Sequence, residues 1–379
     1  MASEKVKLGI IGLGNMGTVH VRHVLDLPNT ELVAICDKNE GKLQAAKVDS
    51  GVARFRDYRQ MLDSATLDGV IIATPHYDHP DMSIAAFERG IHVLVEKPIA
   101  VHVNEARRMI DAYHGFRERM PNLVFAAMFM QRTWGQWRQI KAMIDGGGLG
   151  RLSRCSWIIT DWFRTQFYYD SGGWRATWSG EGGGVLMNQC PHNLDLYQWL
   201  VGAPARIHGF ASFGKHHQIE VEDEASAYFE HDNGMIGHFI TTTGESPGTN
   251  RLEIIGEHGK VVYESDEIIF YRNQWSSIKQ LRESQKGFDK VPCRREVVDF
   301  KGHGDGGHDV VIANFADAIR KGSDLIAPAE EGLASIMINN GIILSAHKGE
   351  TVSLPIDGDE YADLLRLYIE ESAKEGASR

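Results

Sequence analysis

Lys97 and His192 are the residues in this chain best placed to move a proton or hold a charge. Lys97 closes the run Ile91-His92-Val93-Leu94-Val95-Glu96-Lys97-Pro98. Residues 91–95 are apolar apart from His92 and partly β-branched, as in a strand covered on both faces. Pro98 cannot donate to a ladder, so the strand ends there. Ligands of open α/β sheets sit beyond the carboxyl ends of the strands, which puts this lysine in a crevice. Taken alone it reads first as an ordinary exposed lysine, and the chain before it decides against that. His192 lies in Gly182-Gly183-Gly184-Val185-Leu186-Met187-Asn188-Gln189-Cys190-Pro191-His192-Asn193-Leu194-Asp195. Asn188, His192 and Asp195 follow at i, i+4 and i+7, so in one helix they share a face. Pro191 belongs in a first turn or else kinks the helix. Histidine is the natural general base near neutral pH. By spacing alone His192 reads equally as a hydrogen-bonded core histidine held by Asp195.

The stretch that overturns the bland reading of Lys97 is Gly12-Leu13-Gly14-Asn15-Met16-Gly17. It follows a strand at 6–11 and opens a helical pattern at 15–25. A lone GxGxxG is weak, but here an acid, Asp37, ends the next strand about 20 residues on. Gly12 makes the tight turn, Gly14 lets the backbone approach a pyrophosphate, and Gly17 permits close helix–strand contact. The helix start, with Asn15 and Met16, binds the phosphates. Asp37 accepts from ribose hydroxyls and repels a 2′-phosphate, which favours NAD over NADP; Lys38 beside it softens that preference. Thr74-Pro75-His76 and Glu96-Lys97-Pro98 end neighbouring strands on the same sheet edge. They complete the expected cofactor set, with His76 facing nicotinamide or substrate.

These residues need a frame of alternating elements. Helices are expected at 39–49, 78–89 and 104–119, and strands at 32–36, 67–73, 91–95 and 123–128. Such alternation means parallel βαβ units, a doubly wound Rossmann domain over residues 1–130. After Arg132 the pattern changes. A helix at 134–144 and a glycine-rich connection precede extended segments at 152–161, 205–213, 222–230, 235–243, 251–256, 260–264 and 267–272. Hairpin spacing implies a large, mostly antiparallel sheet in an α+β domain over 131–379. Residues 273–300 fit no element, and helices close the chain at 308–320, 330–347 and 359–373. Trp162, Arg164, Trp174 and Arg175 fall in an aromatic loop that suits a sugar-stacking wall. Trp157 reads as sheet core, and His216-His217 as a solvated turn. His303-Gly304-Asp305-Gly306-Gly307-His308 does not have zinc spacing. No metal is expected there, and His308 at a helix start is assigned to substrate contact.

Composition bounds the rest. The 379 residues are 42% hydrophobic and 24% charged, with a net charge of −11. That is ordinary for a globular protein of two or three domains. The acidic balance argues against a nucleic-acid or anionic-membrane partner. No run approaches a membrane span, and no signal peptide is expected before the first strand. The four cysteines, Cys36, Cys155, Cys190 and Cys293, form no CxxC pair. Reduced thiols in a cytoplasmic protein are expected.

Taken together, residues 12–17, Thr74-Pro75, Glu96-Lys97-Pro98, Arg132 and the 182–195 run resemble the glucose–fructose oxidoreductase, inositol dehydrogenase and rhizopine-catabolism (Gfo/Idh/MocA) family. The resemblance covers nearly the whole chain. It implies a Rossmann domain, an open antiparallel sheet that forms a homodimer or homotetramer, and a nicotinamide cofactor. It also implies hydride transfer at a secondary alcohol of a sugar, glycoside or polyol. Lys97 matches the family's active-site lysine and His192 its catalytic histidine. His192 would then take the hydroxyl proton while Lys97 stabilises the developing alkoxide. The family commonly has aspartate where this chain has Asn188. An amide orients a sugar hydroxyl but is neither a base nor an ion-pair partner. The run 188–192 also resembles a subgroup that oxidises glycosides at ring C3. Two further readings stay open: a cofactor-retaining, redox-neutral sugar oxidoreductase or glycosidase, and a nucleotide-binding sensor. The presence of both Lys97 and His192 argues against the sensor.

Overall fold

The fold was taken from a computed structural model, which describes residues 5–304 and 306–377; Asp305 lies outside them. The chain divides into two compact units. One comprises Met1–Thr133, Gly180–Gly182 and Gly306–Ile336; the other comprises Trp134–Ser179, Gly183–Asp305 and Met337–Arg379.

The first unit is built on six strands: β1 (Val6–Ile11), β2 (Thr30–Cys36), β3 (Ala53–Phe55), β4 (Gly69–Ile72), β5 (His92–Val95) and β6 (Phe125–Ala127). Their order is β3-β2-β1-β4-β5-β6 and every pairing is parallel. β4 is buried throughout and β5 at all but its first residue, which is why both read as apolar runs rather than alternations. The helix Val103–Arg117 buries Val103, Ala106, Met109, Ile110 and Tyr113, a single stripe at helical spacing. Asn39 and Asp57 cap the helices Glu40–Ala45 and Tyr58–Ser64 by accepting from Lys42 and Gln60 N–H. The first of these is shorter than the expected 39–49. The backbone turns extended at Ala46, and Ala46 and Val48 pack on the core from there.

The division differs from a single boundary at 130/131. The helix His308–Lys321 belongs to the first unit, and Val311, Ile312, Phe315 and Ala316 sit in one core with Leu8, Ile10, Val24 and Leu94. Gly69 makes room for it, because a Cβ there would meet the Phe315 ring at 3.1 Å.

The second unit carries nine strands: β7 (Leu152–Ile159), β8 (Arg206–Phe213), β9 (Glu222–Glu230), β10 (Ile236–Thr242), β11 (Asn250–Gly256), β12 (Gly259–Glu264), β13 (Glu267–Asn273), β14 (Cys293–Val298) and β15 (Val352–Ser353). Their order is β14-β13-β12-β11-β7-β10-β9-β8-β15, antiparallel except for β7 with β10. Ser265 and Asp266 both take positive φ between β12 and β13, as a two-residue hairpin turn twisted with its strands requires. Cys155, Trp157 and Ile159 alternate inward along β7, and Trp157 packs against Trp137 with ring centroids 5.1 Å apart. Residues 273–300, unassigned from sequence, form the helix Ser277–Glu283 and the edge strand β14. β14 pairs with β13 through its backbone and buries little, so it carries no apolar alternation to read. No described helix is long and apolar enough to cross a membrane.

Candidate active site

The expected cofactor residues gather at the carboxyl ends of β1, β2, β4 and β5. Gly12, at φ +93°, turns the chain out of β1. A Cβ on Gly17 would lie 1.8 Å from the Gly12 carbonyl oxygen, so helix and turn meet only because residue 17 is glycine. A Cβ on Gly14 would meet nothing within 4 Å, which leaves that side open. Gly14 is the N-cap of the helix Asn15–Asp26, and no described side chain caps it. Its first N–H groups therefore face outward as an anion site. Asn15 is exposed and Met16 half-buried. At the end of β2, Asp37 is buried and accepts from Leu13 N–H and Asn39 N–H, each at 2.8 Å. Lys42 Nζ stands 3.5 Å from the same carboxylate. This open, uncapped, glycine-lined turn with an acid beside it fits the pyrophosphate and ribose of a dinucleotide.

The β4 and β5 ends are tied together. Thr74 is half-buried and Pro75 exposed. The next helix begins at His79, which is fully buried. Its ring nitrogens lie 2.9 Å from the carbonyl oxygens of Pro98 and Thr74, so one ring bridges both loops. Burial lowers its pKa. His76 is buried with Nδ1 3.0 Å from the Glu181 carbonyl. Burial first, then His79, hold its ring down to about 3, so it is neutral. Lys97 is half-buried rather than exposed, and the Lys97–Pro98 peptide is cis.

Glu96 lies beneath this edge. One oxygen is 2.6 Å from His20 Nε2 and the other accepts from Lys97 N–H at 3.1 Å. Burial pushes its carboxyl up, but the His20 hydrogen bond and the charges of Lys97 and His308 hold it down, to about 2. His308 is brought here too, its ring 5.6 Å from His20 and 6.2 Å from His23. Burial is the main cause that lowers the His308 pKa. His20 carries no sequence signal beyond its place three residues after Gly17, and its partner is 76 residues away.

In the second unit the expected shared face of Asn188, His192 and Asp195 is corrected. Asn188 ends one short helix, Val185–Asn188, and Pro191 opens another, Pro191–Val201, with Cys190 as its N-cap. Pro191 has no N–H and sits at N1, where none is needed, so the chain breaks before it instead of kinking. His192 and Asp195 stay on one helix, both buried, and Asp195 accepts from Gln198 at 3.2 Å. Glu222 of β9 anchors the first helix by accepting from Gly184 N–H and Leu186 N–H at 2.9 and 3.0 Å.

Trp162, Arg164, Trp174 and Arg175 collect around Tyr168. The Arg164 guanidinium lies 5.1 Å and the Arg175 guanidinium 4.7 Å from its ring centroid. Trp178, by contrast, is core: it stacks on Tyr368 at 4.7 Å. His217 is no solvated turn residue. Nδ1 meets buried Asp223 at 3.0 Å, Nε2 meets the Arg164 carbonyl at 2.9 Å, and the ring packs edge-on to Tyr169. The approach of Gln189 to Tyr168, 21 residues away, and of His217 to the Arg164 carbonyl, 53 residues away, carries no local sequence signal. Among the described residues no cluster of three or more His, Cys, Asp or Glu is set to hold a metal.

A family model described as an oxidoreductase family with an NAD-binding Rossmann fold matches residues 6–116. A second, the GFO/IDH/MocA C-terminal domain, matches residues 137–262. The chain belongs to the Gfo/Idh/MocA oxidoreductase family. This oxidoreductase is similar to the NAD(+)-dependent scyllo-inositol 2-dehydrogenase of Bacillus subtilis, with 24% identity over 362 residues, 93% of this chain and 97% of that protein. It is 25% identical to levoglucosan dehydrogenase of Pseudarthrobacter phenanthrenivorans over 93% of this chain and 99% of that protein. Among solved structures, the WlbA dehydrogenase of Bordetella pertussis in complex with NADH and UDP-GlcNAcA superposes with a TM-score of 0.77 at 26% identity. That match covers 93% of this chain and all of the other. The cofactor of this family member is NAD.

Proposed function

We propose that this protein oxidises a secondary alcohol of a sugar, glycoside or polyol, using NAD. The observation that supports this most is the placement of Lys97 on the sheet edge that carries Gly12, Gly14, Gly17 and Asp37. Full-length similarity to named polyol and sugar dehydrogenases agrees with it. NAD, when bound, supplies the hydride acceptor. Gly14, Asn15 and Met16 offer backbone N–H groups to its phosphates, and Asp37 accepts from its ribose. In this reading Lys97 donates to the substrate hydroxyl oxygen and stabilises the charge that grows there. His192 takes the hydroxyl proton. Asn188, an amide, orients a substrate hydroxyl without acting as a base. We place the enzyme in the cytoplasm, as a homodimer or homotetramer joined through the nine-stranded sheet.

The test is NADH absorbance after mixing purified protein and NAD with sugars, inositols and alkyl glycosides. A steady rise with one of them supports a dehydrogenase that releases its cofactor and names the alcohol. No rise with any, and nucleotide recovered only on denaturation, would replace that reading with a redox-neutral cycle.

A further inference from the structure

Arg164 and Arg175 differ from the arginines carried on the strands of their unit. Arg154, Arg251, Arg272 and Arg294 each pair with a glutamate on the sheet. Arg164 and Arg175 ion-pair with no described residue. Arg164 Nη1 donates to the carbonyls of Trp162 and Phe163, at 3.3 and 2.9 Å. Arg175 Nη1 donates to Tyr168 Oη at 2.8 Å. The Nε and Nη2 donors of both are left uncommitted. Asp161 is the acid whose carboxyl feels Arg164, and burial raises its pKa. Both arginines are half-buried, and both sit over the Tyr168 ring, with Arg175 also 4.8 Å from the Trp174 centroid. The ring face attracts each guanidinium, but the two cations repel one another, and an anion that joins them relieves that repulsion.

A second observation points the same way. Gln189 is 5% exposed and donates to Tyr168 Oη at 3.4 Å. Its Oε1 is buried and finds no partner among the described residues, and the same holds for Trp162 Nε1. Buried polar atoms without partners cost free energy and mark places where a ligand completes the bonding. The cluster is also held in place. Arg164 N–H donates to the Thr243 carbonyl at 2.9 Å, and its own carbonyl faces His217, which Asp223 fixes. Gln189 lies in the break just before the helix that carries His192.

We propose that Arg164 and Arg175 bind an anionic group on the substrate, so that the sugar oxidised is an acidic one. This rests on the dehydrogenase reading above. The planar guanidinium fork matches a carboxylate and a phosphate alike, so the anion belongs to a uronic acid or to a sugar phosphate. Gln189 Oε1 accepts from a sugar hydroxyl beside it.

Tryptophan fluorescence of the full chain, with Trp162 and Trp174 at the cluster, reads binding without turnover. D-glucose, D-glucuronate and D-glucose 1-phosphate, and the galacto series, are titrated in the presence of NAD. At least one anionic sugar of a series is expected to bind tenfold or more tightly than its neutral parent. Preference for glucuronate identifies a carboxylate, and preference for the 1-phosphate identifies a phosphate. Arg164→Gln and Arg175→Gln should each remove the preference, and Arg175→Lys should keep part of it. Equal binding of neutral and anionic sugars by the unaltered protein overturns the proposal, as does a preference that survives both glutamine variants. The unaltered protein decides the matter even if a variant fails to fold. NADH formation is measured separately with the same sugars. Anion-selective binding without NADH would overturn the dehydrogenase reading alone, and turnover restricted to neutral sugars would overturn the anion receptor alone.

Discussion

His76 and Glu96 are buried groups whose charge states depend on being folded. The His76 ring titrates near 3 in the folded chain against an ordinary 6.5, so the unfolded chain binds a proton first. Its stabilising contribution is whole above the ordinary value and is lost as pH falls from there toward 3. Glu96, near 2 against an ordinary 4.5, contributes fully above its ordinary value and loses that contribution toward 2. Acid should thus weaken the Rossmann unit in two stages, histidine first. Replacing His76 with Asn should remove on the order of 2 kcal/mol from the loss between about pH 6.5 and 4. Urea midpoints measured across that range check it; parallel curves for the two proteins would refute the role given to His76. Lys97→Ala tests the other charged residue of this edge. Turnover should fall by about 10²–10³, the usual effect of removing one oxyanion donor. NAD affinity, read by calorimetry, should change little, and undiminished turnover would remove the lysine from the mechanism. Lys97 was legible because a proline stops its strand. His20 and His79 were not, because what makes them matter is a contact with Glu96 in one case and with Pro98 in the other.

The glycine turns are where local sequence and close packing meet. At Gly17 a methyl group has no room, since it would sit 1.8 Å from a backbone oxygen that cannot swing aside. Gly17→Ala should displace the helix Asn15–Asp26, raise the NAD dissociation constant tenfold or more, and cost about 2 kcal/mol of stability. Calorimetric titration and thermal melting read the two effects, and a variant that binds NAD normally would show that the turn is looser than its geometry. Gly184 is similar: a Cβ would meet the Glu222 carbonyl oxygen at 1.9 Å. The close approach of β9 is what requires glycine there. The break at Cys190 was open in the sequence, because proline is compatible both with a first turn and with a kink. Only the strand contacts of Cys190, whose Sγ lies 3.1 Å from Thr241 Oγ1, and of Glu222 distinguish the two.

For the molecule as a whole, the unused face of the large sheet carries the remaining expectation. Ile158 of β7 and Ile240 of β10 are paired in register, and Ile240 is 38% exposed. Phe210 of β8 is 64% exposed. If copies join through this face, apolar residues there should be covered and a charge should be costly. Ile240→Asp should therefore shift the protein toward monomer in light scattering. An unchanged mass for that variant, or a monomeric parent protein, would rule the face out.

The sequence by itself determined the kind of each unit. Strand and helix periodicities are local, and the Gly-x-Gly-x-x-Gly turn with Asp37 states its ligand within about 25 residues. It also placed Lys97, since a strand and its terminating proline are adjacent in the chain. The tertiary structure alone decided which unit holds the helix His308–Lys321, because that depends on the complementarity of Phe315 to Gly69. It likewise decided the pairing of His20 with Glu96, the neutral state of His76, and the meeting of Gln189 with Tyr168. Each depends on desolvation or on contacts between distant segments, and neither is written in the order of neighbouring residues.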